Sequence, residues 1–142
     1  MGSTVAIKAG GSGDVSASRL WHVQREKKNR ISTGVVSKGH LFLCNMDGVT
    51  QCIELQTGKE KWNERLKSTA AKGEIWGSAI LVGENIYVVN QSGDTFVFRA
   101  NPEKLDLITT NPLGDMSNST PAVSDEQIFI RTHRALWCIG EK

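Results

Sequence analysis

Short apolar runs recur along the whole chain, and glycine, asparagine or aspartate residues separate one run from the next. They cover residues 4–8, 34–37, 41–45, 49–55, 79–82, 86–90, 95–99, 128–131 and 136–139. Runs of this length and spacing are typical of strands in an all-β fold, and no window shows the three-to-four-residue apolar period of a helix. The strongest hairpin signal is Asp47-Gly48, which predicts a two-residue turn with positive φ.

The runs form a repeat, because Gly48 and Gly93 occupy equivalent positions that are 45 residues apart. Repeats of about 40–45 residues that hold four short strands are the signature of β-propeller blades. The predicted fold is all-β, with antiparallel four-stranded blades, two of them whole and two partial, in one repeat domain. The blade boundaries follow from the spacing: two last strands at 4–23, whole blades at 31–66 and 76–110, and three first strands at 119–139.

One segment carries a recognisable motif, C-I-E-L-Q-T-G-K-E-K-W, which runs from Cys52 to Trp62. It resembles the tryptophan-docking motif A-x-D-x-x-T-G-x-x-x-W of the PQQ-like (quinoprotein-type) β-propeller repeat family. Thr57, Gly58 and Trp62 match this motif, Cys52 replaces its alanine, and Glu54 replaces its aspartate. The resemblance implies that Thr57-Gly58 forms the turn between the third and fourth strands of a blade, and that the tryptophan packs between neighbouring blades.

The other repeats keep less of this motif. Trp21 holds the position of Trp62 without the Thr-Gly pair, and Leu107 lies near that position in the next repeat. Trp76 and Trp137 are predicted to pack between blades as well, since an indole buries a large area. The last repeat ends before the motif, so the chain resembles the C-terminal portion of a longer propeller. Exposed blade edges are expected to promote self-association.

The three cysteines form neither a short C-x-x-C pair nor an even set, which argues against a zinc site and a disulfide framework. If Asp47-Gly48 form a two-residue turn, Cys44 pairs with Gln51, and Cys52 lies on the opposite face of the sheet. Cys52 and Cys138 occupy the same repeat position, so both are expected to be small core residues.

Charge and hydropathy exclude several classes of function. The net charge is +2, and the basic stretch 25–30 lacks the interleaved aromatic residues of a nucleic-acid site, so a solvated linker is expected there. No apolar stretch is long enough to span a membrane, and the first residues contain no signal-peptide core. The family resemblance implies an extracytoplasmic location, in the periplasm or cell envelope.

Two classes of function follow from the resemblance. The first is a non-catalytic module for protein binding or scaffolding, without a cofactor, within a longer bacterial protein that is kinase-linked or envelope-associated. The alternative is a fragment of a PQQ-dependent quinoprotein dehydrogenase, an enzyme that holds PQQ and calcium. Many such enzymes use two adjacent cysteines, which this chain lacks. We therefore assign no catalytic, cofactor-binding or metal-binding residue and favour the binding module.

Overall fold

The computed structural model describes residues 2–25, 31–71 and 73–141, and these residues are almost entirely strands and tight turns. The only regular helical element within them is a single 3-10 turn, Ser16–Ser18. The strands are β1 (Gly2–Ile7), β2 (Arg19–Arg25), β3 (Val35–Ser37), β4 (His40–Cys44), β5 (Val49–Glu54), β6 (Glu60–Arg65), β7 (Ile80–Val82), β8 (Asn85–Val89), β9 (Asp94–Arg99), β10 (Asp106–Pro112), β11 (Ala122–Ser124), β12 (Gln127–Arg131) and β13 (Leu136–Ile139).

The strands form four antiparallel sheets in chain order. The first sheet is β1–β2, the second β3–β6, the third β7–β10 and the fourth β11–β13. In each sheet, strands that follow one another in sequence are neighbours, which is the arrangement of a meander. The prediction of all-β, antiparallel four-stranded units with two incomplete units is confirmed. Residues 26–30 of the basic stretch lie outside the described residues.

The hairpin between β4 and β5 differs from the predicted two-residue turn. Its loop has three residues, 46–48, because the N–H of Asn45 donates to the carbonyl of Val49 over 2.8 Å. Gly48 closes the loop with φ +81°, and its N–H donates to the carbonyl of Asn45 over 3.0 Å. A three-residue loop with a glycine in the left-handed region is a standard alternative for Asp-Gly. The extra residue moves the strand register by one position.

That register corrects the prediction for the cysteines. Cys44 pairs with Thr50, and Cys52 pairs with Phe42. Since paired residues share a face and faces alternate along a strand, Cys44 and Cys52 lie on the same face, not on opposite faces. Both are buried free thiols, and burial raises the pKa of each to about 11.

A shared irregularity marks the last strand of the first three sheets. Ala6 pairs with Trp21 but Ile7 with Arg19, so Leu20 is an extra residue before the tryptophan. The same shift occurs before Trp62 and before Thr109. Such a β-bulge bends a strand and re-aims the side chain that follows it. The residue at the tryptophan position of the third sheet is therefore Thr109, which corrects the placement near Leu107.

The main core lies between the second and third sheets. One side of it comes from the face of the second sheet that holds the Phe42, Cys52 and Trp62 side chains. The other side is the facing surface of the third sheet, where four large apolar side chains are fully or almost fully buried: Ile86, Val88, Phe96 and Phe98. Consecutive sheets therefore pack face to face, as successive blades do.

Candidate functional site

Trp21 of the first sheet lies directly on the turn between β5 and β6 in the second sheet. Its indole N–H donates to the carbonyl oxygen of Leu55 over 2.7 Å. A Cβ atom added to Gly58 would lie 2.6 Å from Cδ2 of Trp21, so only glycine leaves room for the ring. Gly58 also has φ +72°, a left-handed conformation that favours glycine.

Two polar side chains of the motif shape the same turn. The Thr57 hydroxyl donates to the Glu54 carboxylate and accepts the N–H of Lys59 over 3.2 Å. The N–H of Gly58 donates to the carbonyl of Glu54 over 2.9 Å. Glu54, Thr57 and Gly58 therefore form one hydrogen-bonded turn. The side chain that packs against this turn is Trp21 of the preceding sheet.

Trp62 makes the equivalent contact one repeat further along the chain. It is 7% exposed, and its indole N–H donates to the carbonyl of Asn101 over 3.0 Å. Within its own sheet Trp62 pairs with Cys52, which pairs with Phe42, so the three side chains form one row. The Phe42 and Trp62 ring centroids are 6.0 Å apart. The predicted site residues thus form two successive contacts between sheets rather than one pocket.

A second series of contacts joins the segments that lead into the first strands of neighbouring sheets. The N–H of Thr33 donates to the Ser78 hydroxyl, and the N–H of Ser78 donates to the Thr120 hydroxyl, each over 2.8 Å. These three residues are equivalent positions of the repeat, and sequence analysis missed them. The available signal was a serine or threonine recurring at offsets of 45 and 42 residues. We call Thr33, Ser78 and Thr120 the hydroxyl ladder.

Trp76 lies next to this ladder and is 42% exposed, which corrects its assignment to packing between blades. Its two neighbours are held firmly: Ile75 is fully buried, with its N–H donating to the carbonyl of Met46 over 2.9 Å. A Cβ on Gly77 would lie 2.1 Å from the carbonyl oxygen of Ser119. The structure therefore presents a large aromatic side chain to solvent from a backbone with little freedom.

Two further predictions concern the fourth sheet. Trp137 is 38% exposed, and its indole N–H donates to the Thr132 hydroxyl over 3.3 Å, a contact within its own sheet. Cys138 is exposed, although its repeat equivalent Cys52 is buried. The expectation that both cysteines are core residues is therefore wrong for Cys138, because no fourth strand covers it among the described residues.

A buried carboxylate joins the β8–β9 hairpin to the segment that precedes the third sheet. Asp94 is 1% exposed and accepts the Ser68 hydroxyl over 2.9 Å, the Thr69 N–H over 2.8 Å and the Asn90 amide over 3.0 Å. Burial acts to raise the pKa of Asp94, but the hydrogen bonds from Thr69, Asn90 and Ser68 outweigh it and lower the pKa.

Because the pKa of Asp94 is lowered in the folded state, the free energy of unfolding depends on pH in the acidic range. Its contribution is present above the unfolded-state pKa, 3.8, and is lost as the pH falls through the lower folded-state pKa. We expect the urea midpoint to fall between about pH 5 and pH 2, and to fall less in Asp94→Asn. Glu103→Gln, which removes a carboxylate that is 77% exposed, is the control for general charge. An unchanged acid slope in Asp94→Asn would contradict the prediction.

Within the described ranges, no three His, Cys, Asp or Glu side chains group together as metal ligands do. The same residues include no helix of the length and apolar character needed to cross a membrane.

No protein-family model and no curated protein matches the sequence, but solved structures match the fold. BamB from Moraxella catarrhalis aligns with a TM-score of 0.74 over 97% of this chain and 40% of its own, at 12% identity. The C-terminal WD40 domain of Sif2 aligns with a TM-score of 0.65 over 84% of this chain and 36% of its own, at 12% identity. Quinohemoprotein alcohol dehydrogenase from Comamonas testosteroni aligns with a TM-score of 0.57 over 74% of this chain and 17% of its own, at 18% identity.

These likenesses, together with the repeated sheets, define the class: the chain has the fold of part of a β-propeller. It spans less than half the length of each of these structures. Identities of 12–18% show the fold alone, because one fold carries many functions.

Proposed function

We propose that this chain is a non-catalytic β-propeller repeat module that binds a protein partner through the loops at one end of its sheets. The observation that carries the proposal is Trp76, an exposed indole on a fixed backbone. Tryptophan is enriched among the residues that dominate binding energy at protein interfaces. A preorganised side chain also loses less conformational entropy when the partner binds.

The neighbouring repeat supports the same surface. Ile31 occupies the position of Trp76 one repeat earlier and is 58% exposed. Two successive repeats thus present a large apolar side chain at the same place, beside the hydroxyl ladder. Exposed apolar side chains in such loops indicate an interaction surface, since loops on a rigid scaffold commonly carry binding residues. An extracytoplasmic location belongs to this proposal and rests on the family resemblance.

Site-specific cross-linking in the full-length protein tests this surface. A photoreactive benzophenone side chain at position 76 should give one discrete cross-linked protein product in cells. The same group at position 56, exposed in the turn at the opposite end of the second sheet, is the control and should not give it. Trp76→Ala should weaken association with the cross-linked protein about tenfold. Equal products at both positions, or unchanged association in Trp76→Ala, would refute the proposal.

The second candidate is a fragment of a PQQ-dependent dehydrogenase, supported by the quinohemoprotein alcohol dehydrogenase among the similar structures. PQQ with calcium, titrated into the full-length protein, separates the two candidates. We expect no saturable change in the PQQ absorbance spectrum. A saturable change with one-to-one stoichiometry would favour the oxidoreductase and remove the binding module as the primary function.

A further inference from the structure

The outer edge of the third sheet is formed by β10, the fourth strand of a complete four-stranded sheet in the interior of the chain. Within the described residues, β10 pairs with β9 alone. The equivalent outer strand of the second sheet is β6, which pairs with β5. The N–H of Leu66 donates to Gly48 and that of Leu113 to Gly93, each over 3.0 Å, so the two strands align residue by residue. One strand therefore serves as an internal comparison for the other.

The two outer strands differ in charge and in apolar character. β6 has four charged residues among its six: Glu60, Lys61, Glu64 and Arg65. β10 has one among its seven, Asp106, and its Leu107 and Ile108 side chains are 46% and 47% exposed. Charged side chains, especially lysine, protect an edge strand from pairing with another chain. By this rule β6 is protected, and β10 is open to an added strand.

Hydrogen bonding to β9 determines which backbone groups of β10 face outward. The N–H of Leu113 donates to the carbonyl of Gly93, and residues bonded to one neighbour alternate along an antiparallel strand. Asn111 therefore directs its backbone groups toward β9, whereas Thr110 directs its N–H and C=O away from β9. Pro112 has no N–H to donate to an added strand. The outward N–H of this part of the strand is consequently that of Thr110.

An antiparallel pairing of two β10 strands around Thr110 satisfies these groups. In that register Thr110 lies opposite its own copy, and each N–H donates to the carbonyl of the other. Leu107 lies beside Leu113 of the other copy, and the one charged residue of the strand, Asp106, lies beside Gly114. No like charges meet, and threonine pairs across strands stabilise a sheet. The edge is therefore compatible with itself.

The same pairing is unfavourable for β6. Two β6 strands paired around Asn63, the equivalent of Thr110, would place Lys61 beside Arg65 on both sides of the axis. Like charges that face each other across a strand pair destabilise a sheet. Both strands have the same bulge and the same place in their sheets, so the difference comes from their side chains. Charge complementarity therefore favours β10 as the edge that a second copy can pair with.

We propose that two copies of the chain pair through β10, antiparallel and around a two-fold axis at Thr110. Such a contact uses each edge once, so the assembly closes at a dimer. One strand pair buries less than the roughly 1,200 Å² that stable interfaces bury, so the dimer is weak and depends on concentration. The proposal is independent of the protein-binding surface, because Trp76 precedes β7, at the other edge of the sheet.

Sedimentation velocity of the full-length protein at rising concentration should show a monomer–dimer equilibrium. Thr110→Lys and Thr110→Glu should each weaken the dimer about fivefold, because like charges then meet at the axis. An equal mixture of the two variants should restore a dimer with one copy of each, since opposite charges then meet. Asn63→Lys makes the same change at the equivalent place in β6 and is the control, which should leave the dimer unchanged.

Thr110→Pro tests the backbone contact, because proline removes the outward N–H and is compatible with an edge strand. Both central hydrogen bonds of the dimer are then lost together, which should weaken it more than about tenfold. Asn63→Pro in β6 is the matched control and should not change the dimer. The charge variants keep the test decisive if the proline variant does not fold.

A protein that stays monomeric up to about 1 mM would overturn the proposal. Equal weakening by Thr110→Lys and Asn63→Lys, or a mixture of Thr110→Lys and Thr110→Glu that stays monomeric, would do the same. A photoreactive benzophenone side chain at position 110 should give, in cells, a product of twice the monomer mass. A product of another mass would mean that a different protein covers the edge, and the second copy would be the wrong occupant.

Discussion

Replacing Gly58 with alanine is expected to lower the free energy of unfolding by about 3 kcal/mol, through two separable effects. A left-handed φ of +72° costs an L-residue about 1 kcal/mol relative to glycine. The new methyl group would also lie 2.6–2.9 Å from three indole atoms of Trp21, and overpacking of this kind costs about 1–3 kcal/mol. Urea denaturation monitored by circular dichroism measures the loss.

Gly39→Ala is the matched control for that substitution. Gly39 has a similar φ of +76°, but a Cβ there meets no atom within 4 Å. Only the backbone effect applies, so about 1 kcal/mol should be lost. Equal losses in the two variants would mean that Trp21 does not rest on Gly58.

Trp62→Ala is expected to cost about 4 kcal/mol, the usual range for removing a buried tryptophan. The side chain is 7% exposed, packs beside Phe42 and donates its indole N–H to Asn101. Trp62→Phe should retain about half of this stability, because it keeps an aromatic ring but loses the hydrogen bond and some area. Urea midpoints of the three proteins test the order.

Trp76→Ala is the control for Trp62→Ala and should change stability by no more than about 0.5 kcal/mol. Both variants remove one indole, but the Trp76 side chain is 42% exposed. A similar loss in both proteins would contradict the assignment of Trp62 to packing between sheets and of Trp76 to the surface.

The fold was predictable because the repeat imposes the same local rule several times. Glycines at turn positions, short apolar runs and one well-kept docking motif all indicate the same antiparallel unit. The pairing of Trp21 with the turn at Gly58 follows the same logic, since a tryptophan recurs one repeat before Trp62. Agreement among several copies compensated for the weakness of each single signal.

Strand register was less predictable, and the cysteines show why. Asp47-Gly48 suits both a two-residue and a three-residue loop, since both need a residue with positive φ near the end. The two loops differ by one residue in register, and one residue exchanges the faces of a strand. The docking position of the third sheet was misplaced because the connection between β9 and β10 is two residues longer than the one between β5 and β6, and no residue type requires that length.

Exposure was unpredictable wherever it depends on what lies beside a repeat rather than within it. Cys52 and Cys138 occupy the same position of the repeat, but within the part of the chain that the structure describes only Cys52 has a fourth strand next to it. Trp76 follows a buried isoleucine and looks like part of the same apolar run. Its outward direction comes from the tight contact between Gly77 and Ser119, which lie 42 residues apart.

The hydroxyl ladder links the successive sheets in one direction along the chain. The Ser78 hydroxyl accepts from the repeat before it, and the backbone amide of Ser78 donates to the repeat after it, so this residue depends on one neighbour on each side. Such an array behaves as a one-dimensional cooperative chain, in which stability is passed between adjacent units. Opening should then begin at the outermost units and move inward, and amide hydrogens in the second and third sheets should exchange most slowly.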